Sequence, residues 1–288
     1  MNLASLTKFL AEAPWHLWAK QIAAVIRTDL KKNFFTRRGT WIYMLAFAPV
    51  LIIGAHSIDS WGGRRCNLQE DTRILAYIFQ IFYLRLGIFF GCLGIFTWLF
   101  RGEIVEKSLH YYFLAPIRRE LLVLGKFIAG AITAIFFFGF GVLASFTLMY
   151  VHFGPAGRAF VFDGPGLGHA LAYLSVTALA CLGYGSIFLA LSLLLKNPMI
   201  TAAIVLIWET FHAVLPSVLQ KFSVTFYLKY LCPVSIPPEG VMALFTVVSD
   251  PVSPWIAVPT ALIVARAGVS RRIFRVATAA AAATRLPA

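Results

Sequence analysis

Hydrophobic and polar positions alternate along this chain in long blocks, and the blocks set the reading. Near the N-terminus, Trp15, Trp18, Ile22, Val25, Ile26, Leu30 and Phe34 recur every three or four residues, with Lys20, Arg27, Lys31 and Lys32 on the flanks. That spacing predicts a basic amphipathic helix suited to the headgroup layer of a bilayer. Continuous apolar runs follow, each near the roughly 20 residues needed to cross a membrane. They are expected at about Trp41–Ile58 (with Pro49 inside), Ile74–Phe100, Phe127–Val151, Ala170–Leu195, Met199–Val214 and Pro254–Val269. The last is the weakest, because Arg266 and Pro259 interrupt it. Polar stretches separate the runs: Asp59–Arg73 reads as a loop of mixed charge, Gly154–Gly168 as a Gly/Pro turn-forming loop, and Lys196-Asn197-Pro198 as a tight hairpin. Residues 217–253, with prolines at 233, 237, 238 and 251, read as an outer segment of short helical pieces.

The stretch Arg101–Lys126 is a polar island between the second and third runs. Val105, Leu109, Tyr112 and Phe113 fall on one helical face, while Glu103, Glu106, Lys107 and His110 fall on the other. Pro116 closes this amphipathic helix, since a residue preceding proline is pushed out of helical geometry, and a new helix is expected from Arg118 onward.

Composition agrees with this pattern. The chain is 60% hydrophobic and only 13% charged, with a mean hydropathy of +0.80, which excludes an ordinary soluble domain. The formal charge of +13 does not imply nucleic acid, because the Lys and Arg residues sit between apolar runs instead of forming one basic face. Their placement reports topology. Seventeen lie in the N-terminal 40 residues, the island, the 196–198 turn and the tail, against six in the alternate loops. The positive-inside rule then puts the island and both termini in the cytoplasm, which six spans satisfy. The expected fold is an all-α integral membrane protein with an N-terminal interface helix, six transmembrane helices and cytoplasmic termini. Residues 1–40 form the interfacial segment and 41–269 the transmembrane domain. Residues 270–288 form a basic, Ala-rich tail of low complexity. The first 40 residues lack the layout of a cleaved signal peptide.

Little in the chain points to catalysis. There is no HExxH, no GxSxG and no pair of carboxylates on one face within a span. Gly125-Lys126 is not a phosphate loop, because Glu120 stands where its first glycine belongs. Cys66, Cys92, Cys181 and Cys232 have no metal-ligand spacing. Cys92 and Cys181 read as core, while Cys66 and Cys232 fall on the same outer side, either paired or as two loop thiols. Within the spans, Arg85, Glu209 and Arg266 are charged, and His212 lies three residues beyond Glu209. Such groups need partners or water. Arg85, Glu209 and His212 are candidates for a translocation path or proton relay; in the other reading, Arg85 and Glu209 pair to fix helix packing or snorkel towards the interface.

The island resembles the cytoplasmic loop of the membrane subunit of type-two ATP-binding cassette exporters. That loop typically runs Glu-x-x-Glu-Gly-Thr-Leu-Glu, a short apolar stretch, Thr-Pro-Ile, basic residues and Leu-Leu-x-Gly-Lys. Glu103, Glu106, Leu109, Pro116, Ile117, Arg118, Leu121, Leu122, Gly125 and Lys126 stand at matching places, with Ser108 for the usual Thr, Lys107 for the usual Gly and His110 for the second Glu. The basic approach Arg27–Lys32 before Arg37-Arg38, Pro49, and Leu215-Pro216-Ser217 followed by Pro233 are also similar to the family. The resemblance implies a permease in the cell membrane, working as a homodimer or as a heterodimer with a similar permease. Separate ATPase subunits would bind the ATP and Mg, and no cofactor would sit in this chain. Glu103, Glu106, Lys107, His110, Arg118 and Arg119 would contact the ATPase. An ion- or proton-coupled secondary transporter using Arg85 and Glu209, and a membrane scaffold that recruits a soluble partner, are the alternative readings.

Overall fold

The computed structural model describes residues 15–35, 39–61, 67–105, 119–194, 198–211, 223–234 and 236. Among them all regular structure is helical: α1 (Trp15–Phe35), α2 (Gly39–Trp61), α3 (Leu68–Tyr77), a π-helical segment (Ile78–Gly87), α4 (Ile88–Val105), α5 (Arg119–Val151), α6 (Pro155–Phe162), α7 (Gly166–Leu194), α8 (Pro198–Phe211) and α9 (Val224–Leu231). Among the described residues, four stretches are long and apolar enough to cross a membrane: Gly39–Asp59, Leu68–Leu99, Glu120–Val151 and Gly166–Ser192. The chain is thus a multi-pass membrane protein, all-helical among the described residues. The fifth expected run is helical from Pro198 to Phe211; its remainder and the sixth lie outside the described residues.

α5 is the centre of the bundle, with α1, α2, α4 and α7 packed around it. In lipid the hydrophobic effect does little to join helices, so close packing and interhelical hydrogen bonds must do so. Small residues supply the close approach. A Cβ on Gly141 would lie 2.5 Å from the Ala46 carbonyl oxygen, so α2 and α5 touch there backbone to backbone. Beside that contact the Tyr83 hydroxyl reaches the Ala46 oxygen at 3.2 Å and Ser145 Oγ at 2.9 Å. Aromatic rings fill the wider gaps: Phe79 meets Tyr173 at 4.5 Å, Phe89 meets Phe188 at 5.1 Å, and Tyr43 meets Phe137 at 4.5 Å.

Three expected boundaries move. The Asp59–Arg73 loop is shorter than its polarity suggested, because α2 runs on to Trp61 and α3 begins at Leu68. Asn67 caps α3, its side-chain oxygen accepting from the Gln69 amide at 3.1 Å, and Glu70 and Asp71 in the first turn complement the helix dipole. The Gly154–Gly168 loop contains α6. Gly154 turns the chain at φ +57°, a conformation that favours glycine, and Pro155 starts the helix with a ring already set for it. The second run is also not one uniform α-helix. Its middle, Ile78–Gly87, is wound as a π-helix and carries Arg85 and the core residue Tyr83.

α1 matches its expected span and lies along α5. Phe34 packs on Phe137 at 4.7 Å, Asn33 donates to Thr133 at 3.2 Å, and the Tyr43 hydroxyl of α2 donates to the Phe34 carbonyl at 3.0 Å. α5 begins at Arg119, close to the helix start expected after Pro116.

Candidate functional site

The island is rooted in a buried ion cluster. Glu103, near the end of α4, and Lys126, in the first turns of α5, are charged residues close to its two ends. Lys126 is fully buried, and its Nζ donates to Glu103 Oε1 at 2.7 Å and to Asp29 Oδ2 of α1 at 3.2 Å. Lys32, one turn along α1 from Asp29, reaches the same Glu103 oxygen at 3.3 Å, with about half its side chain exposed. Two carboxylates and two ammonium groups therefore balance, which is what allows them to be buried. Burial raises the Asp29 carboxyl above its ordinary value, against the pull of the adjacent Lys126 and with some help from Glu103.

Local sequence explains how α1 approaches this closely. A Cβ on Gly125 would stand 3.0 Å from Val25, so the glycine before Lys126 is a seat for α1. The Gly-Lys pair rejected as a phosphate loop is therefore a helix-packing element. The periodicity of the island places Glu103 on an outward face with Glu106 and Lys107; the structure corrects that placement. Glu103 is 4% exposed and turned inward, because the strong opposite charge of Lys126 lies beneath it. It forms part of the root of the island and not of its outer surface. Glu106, Lys107, His110 and Arg118 lie outside the described residues, and Arg119 is fixed only as the first residue of α5.

Of the polar groups within the spans, Glu209 is placed most clearly. It is buried at the end of α8, where its carboxylate accepts from Ser223 Oγ at 2.7 Å and from the Val224 and Thr225 amides at 3.0 and 3.3 Å. Ser223 also caps α9 through the Phe226 amide. Glu209 thus holds the open N-terminus of a short helix, whose unpaired amides and positive dipole end favour a carboxylate. Thr225 in turn meets the Tyr184 hydroxyl at 2.8 Å, tying α9 to α7. Among the described residues no ion pair joins Arg85 to Glu209; the Glu209 carboxylate instead clasps the start of α9. His212 and Arg266 lie outside the described residues. Cys92 and Cys181 are buried free thiols, as expected of core residues, and Cys232 is also free, donating to the Leu228 carbonyl at 3.4 Å. Cys66, the other thiol of the pairing left open, lies outside the described residues.

At the far end of the bundle is a group that no pattern in the sequence singles out. His56 of α2 and His152, just beyond α5, converge on the buried Asp71 of α3, at 3.5 and 3.3 Å. Thr72 and Tyr150 meet beside it at 3.0 Å. These side chains come together only when three helices pack, so no spacing in the chain advertises them.

No family model matches this chain, and neither does any curated protein or solved structure. Its function is read from its own residues.

Proposed function

We propose that this chain is the permease subunit of an ATP-binding cassette exporter, forming half of a translocation pathway in the cell membrane. Six spans and cytoplasmic termini belong to this proposal, with a second permease copy and two ATPase subunits completing the complex. Two features support it. One is the order of Glu103, Glu106, Pro116-Ile117-Arg118, Leu121-Leu122 and Gly125-Lys126 between two long apolar segments. The other, which carries the most weight, is that Lys126 joins the two roots of the island to each other and to α1.

A partner bound to a loop can move spans only if the loop's ends are stiffly joined to them. Here a push on the island passes through Glu103 to the second span and through Lys126 to α5, the helix on which the other elements pack. Asp29 makes α1 move with them. The exposed cations of α1 keep that helix in the headgroup layer. The energy source in this reading is ATP hydrolysed by the partner, and Glu106, Lys107, His110, Arg118 and Arg119 are its contact candidates. The Glu209 clasp favours this reading over a proton-coupled carrier, because a carboxylate engaged by a hydroxyl and two amides serves as a structural cap.

The test is purification of the full chain from its native membrane in mild detergent, followed by an assay of ATP hydrolysis. An ATP-hydrolysing subunit that stays with the wild-type chain and is lost from Glu106→Lys supports the proposal. ATP-independent transport by the chain alone contradicts it.

A further inference from the structure

α5 runs from one face of the membrane to the other. From Lys126 in the ion cluster to Tyr150 it advances about 36 Å at 1.5 Å per residue, against a hydrocarbon core about 30 Å thick. Tyr150 therefore stands at the headgroup boundary opposite the ion cluster, and the chain beyond it stays at that boundary. Gly154, at φ +57°, turns the chain, and α6 folds back against the end of the span it has just left. A Cβ on Gly157 would collide with the Tyr150 carbonyl oxygen, and the Phe160 ring packs on Tyr150 at 4.9 Å. α6 is also held to the first turn of the next span: a Cβ on Gly166 would lie 2.7 Å from Val161 Cα, and Phe160 meets His169 at 6.0 Å. The helix thus lies level with the last turn of α5 and the first turn of α7.

Its two faces differ. Gly157, Phe160 and Val161 are buried or half-buried against the bundle, whereas Phe162 is 75% exposed, more than any other large apolar side chain among the described residues. Arg158, one turn before Phe162 on the same face, is exposed as well. The surface at this level is apolar on both sides of α6. Val151 at the end of α5 is exposed, and so are Leu167 and Leu171 in the first turns of α7. All three belong to membrane-crossing stretches, so the surface they form meets the bilayer, and Phe162 continues it. A soluble partner would need an apolar face standing clear of the membrane, but α6 is folded back onto the span ends. An exposed aromatic beside a basic residue is instead the composition of a helix lying in the headgroup layer.

We infer that α6 is a second interface helix, seated in the lipid at the membrane face opposite the ion cluster, with Phe162 among the upper acyl chains and Arg158 at the phosphates. The bundle is then held at both faces, by α1 at one and by α6 at the other. This inference is independent of the export reading, because it concerns the face away from the island.

Spin labelling of the full chain in phosphatidylcholine liposomes tests the inference. Cys66 and Cys232 are first replaced by serine; Cys92 and Cys181 are buried and can stay. A nitroxide is then attached through Phe162→Cys, with Leu171→Cys as the lipid-facing reference and the free nitroxide in buffer as the aqueous one. Oxygen dissolves in hydrocarbon and a polar nickel chelate is excluded from it, so the ratio of oxygen to nickel collisions at position 162 should exceed the buffer value by at least about three-fold and move toward that of the Leu171 label. A ratio equal to that in buffer overturns the inference. So does dipolar broadening between labels on two copies of the chain, which would make this face a contact between protomers. Should Phe162→Cys fail to fold, Ala159→Cys, on the same exposed face of α6, decides in the same measurement: an oxygen-favoured ratio supports the seat in lipid, and a buffer-like ratio refutes it.

Discussion

Lys126→Met removes the cation at the centre of the ion cluster while keeping most of the side-chain volume. It leaves Asp29 and Glu103 buried on either side of an apolar group, without the ammonium that meets them at 3.2 and 2.7 Å. Removing one partner of a buried ion pair costs about 3–5 kcal/mol, because the remaining charge is stranded. At 2–4 °C per kcal/mol this is a fall of roughly 6–20 °C in unfolding midpoint. Protonation limits the cost: one stranded carboxylate can take up a proton, so the deficit should shrink by up to about 1.4 kcal/mol per pH unit on acidification. Lys32→Met provides the contrast. Lys32 touches the same Glu103 but is about half exposed, and solvent screening keeps its effect below about 1 kcal/mol. Tryptophan-fluorescence melts of the purified chain at pH 8 and pH 6 read both effects. The triple variant Lys126→Met, Asp29→Asn, Glu103→Gln should recover most of the loss. A Lys126→Met midpoint no lower than that of Lys32→Met, or no recovery in the triple variant, would refute the argument.

Three further outcomes follow from the same geometry. Glu209→Ala removes the acceptor for Ser223 and two α9 amides, a loss of about 2–4 kcal/mol to α9 docking; hydrogen exchange at Val224 and Thr225 should speed up at least about ten-fold, and unchanged exchange would disprove the clasp. Gly141→Ala should destabilise by about 1–3 kcal/mol because its methyl meets the Ala46 backbone, whereas Gly139→Ala, with 3.7 Å to Leu174, should be tolerated in the same melt. The folded chain holds the Asp29 proton above the ordinary carboxylate value of 3.8, chiefly through burial and against the pull of Lys126. That proton's contribution to stability is complete below 3.8 and is lost as pH rises through the raised folded value, so Asp29→Asn should flatten this part of the stability–pH curve; an unchanged slope would contradict it.

Local pattern carried much of this architecture. The three- and four-residue recurrence from Trp15 to Phe34 defines α1, the apolar runs mark four membrane-crossing stretches, and Pro116 anticipates the start of α5 at Arg119. Periodicity describes how a helix faces its surroundings but not what opposes it. Glu103 reads as outward because it shares a face with Glu106 and Lys107, and its real partner, Lys126, lies 23 residues away on another helix. Asp29 stands among the cations of α1, and its partner Lys126 is brought to it only by the packing of α5. Pairing with Arg85 was one reading of Glu209, but its carboxylate meets the hydroxyl and amides at the open end of α9, which no spacing in the chain announces. The His56–Asp71–His152 group has no sequence signature, because it depends on how three helices meet.

The central claim is that the island transmits work from an ATPase to the spans. Its most direct test is ATP hydrolysis by the native complex reconstituted in liposomes, comparing wild type with Glu106→Lys. Loss of substrate-stimulated hydrolysis, with the chain still folded in the membrane, is the predicted result. Hydrolysis unchanged by the charge reversal would contradict the claim.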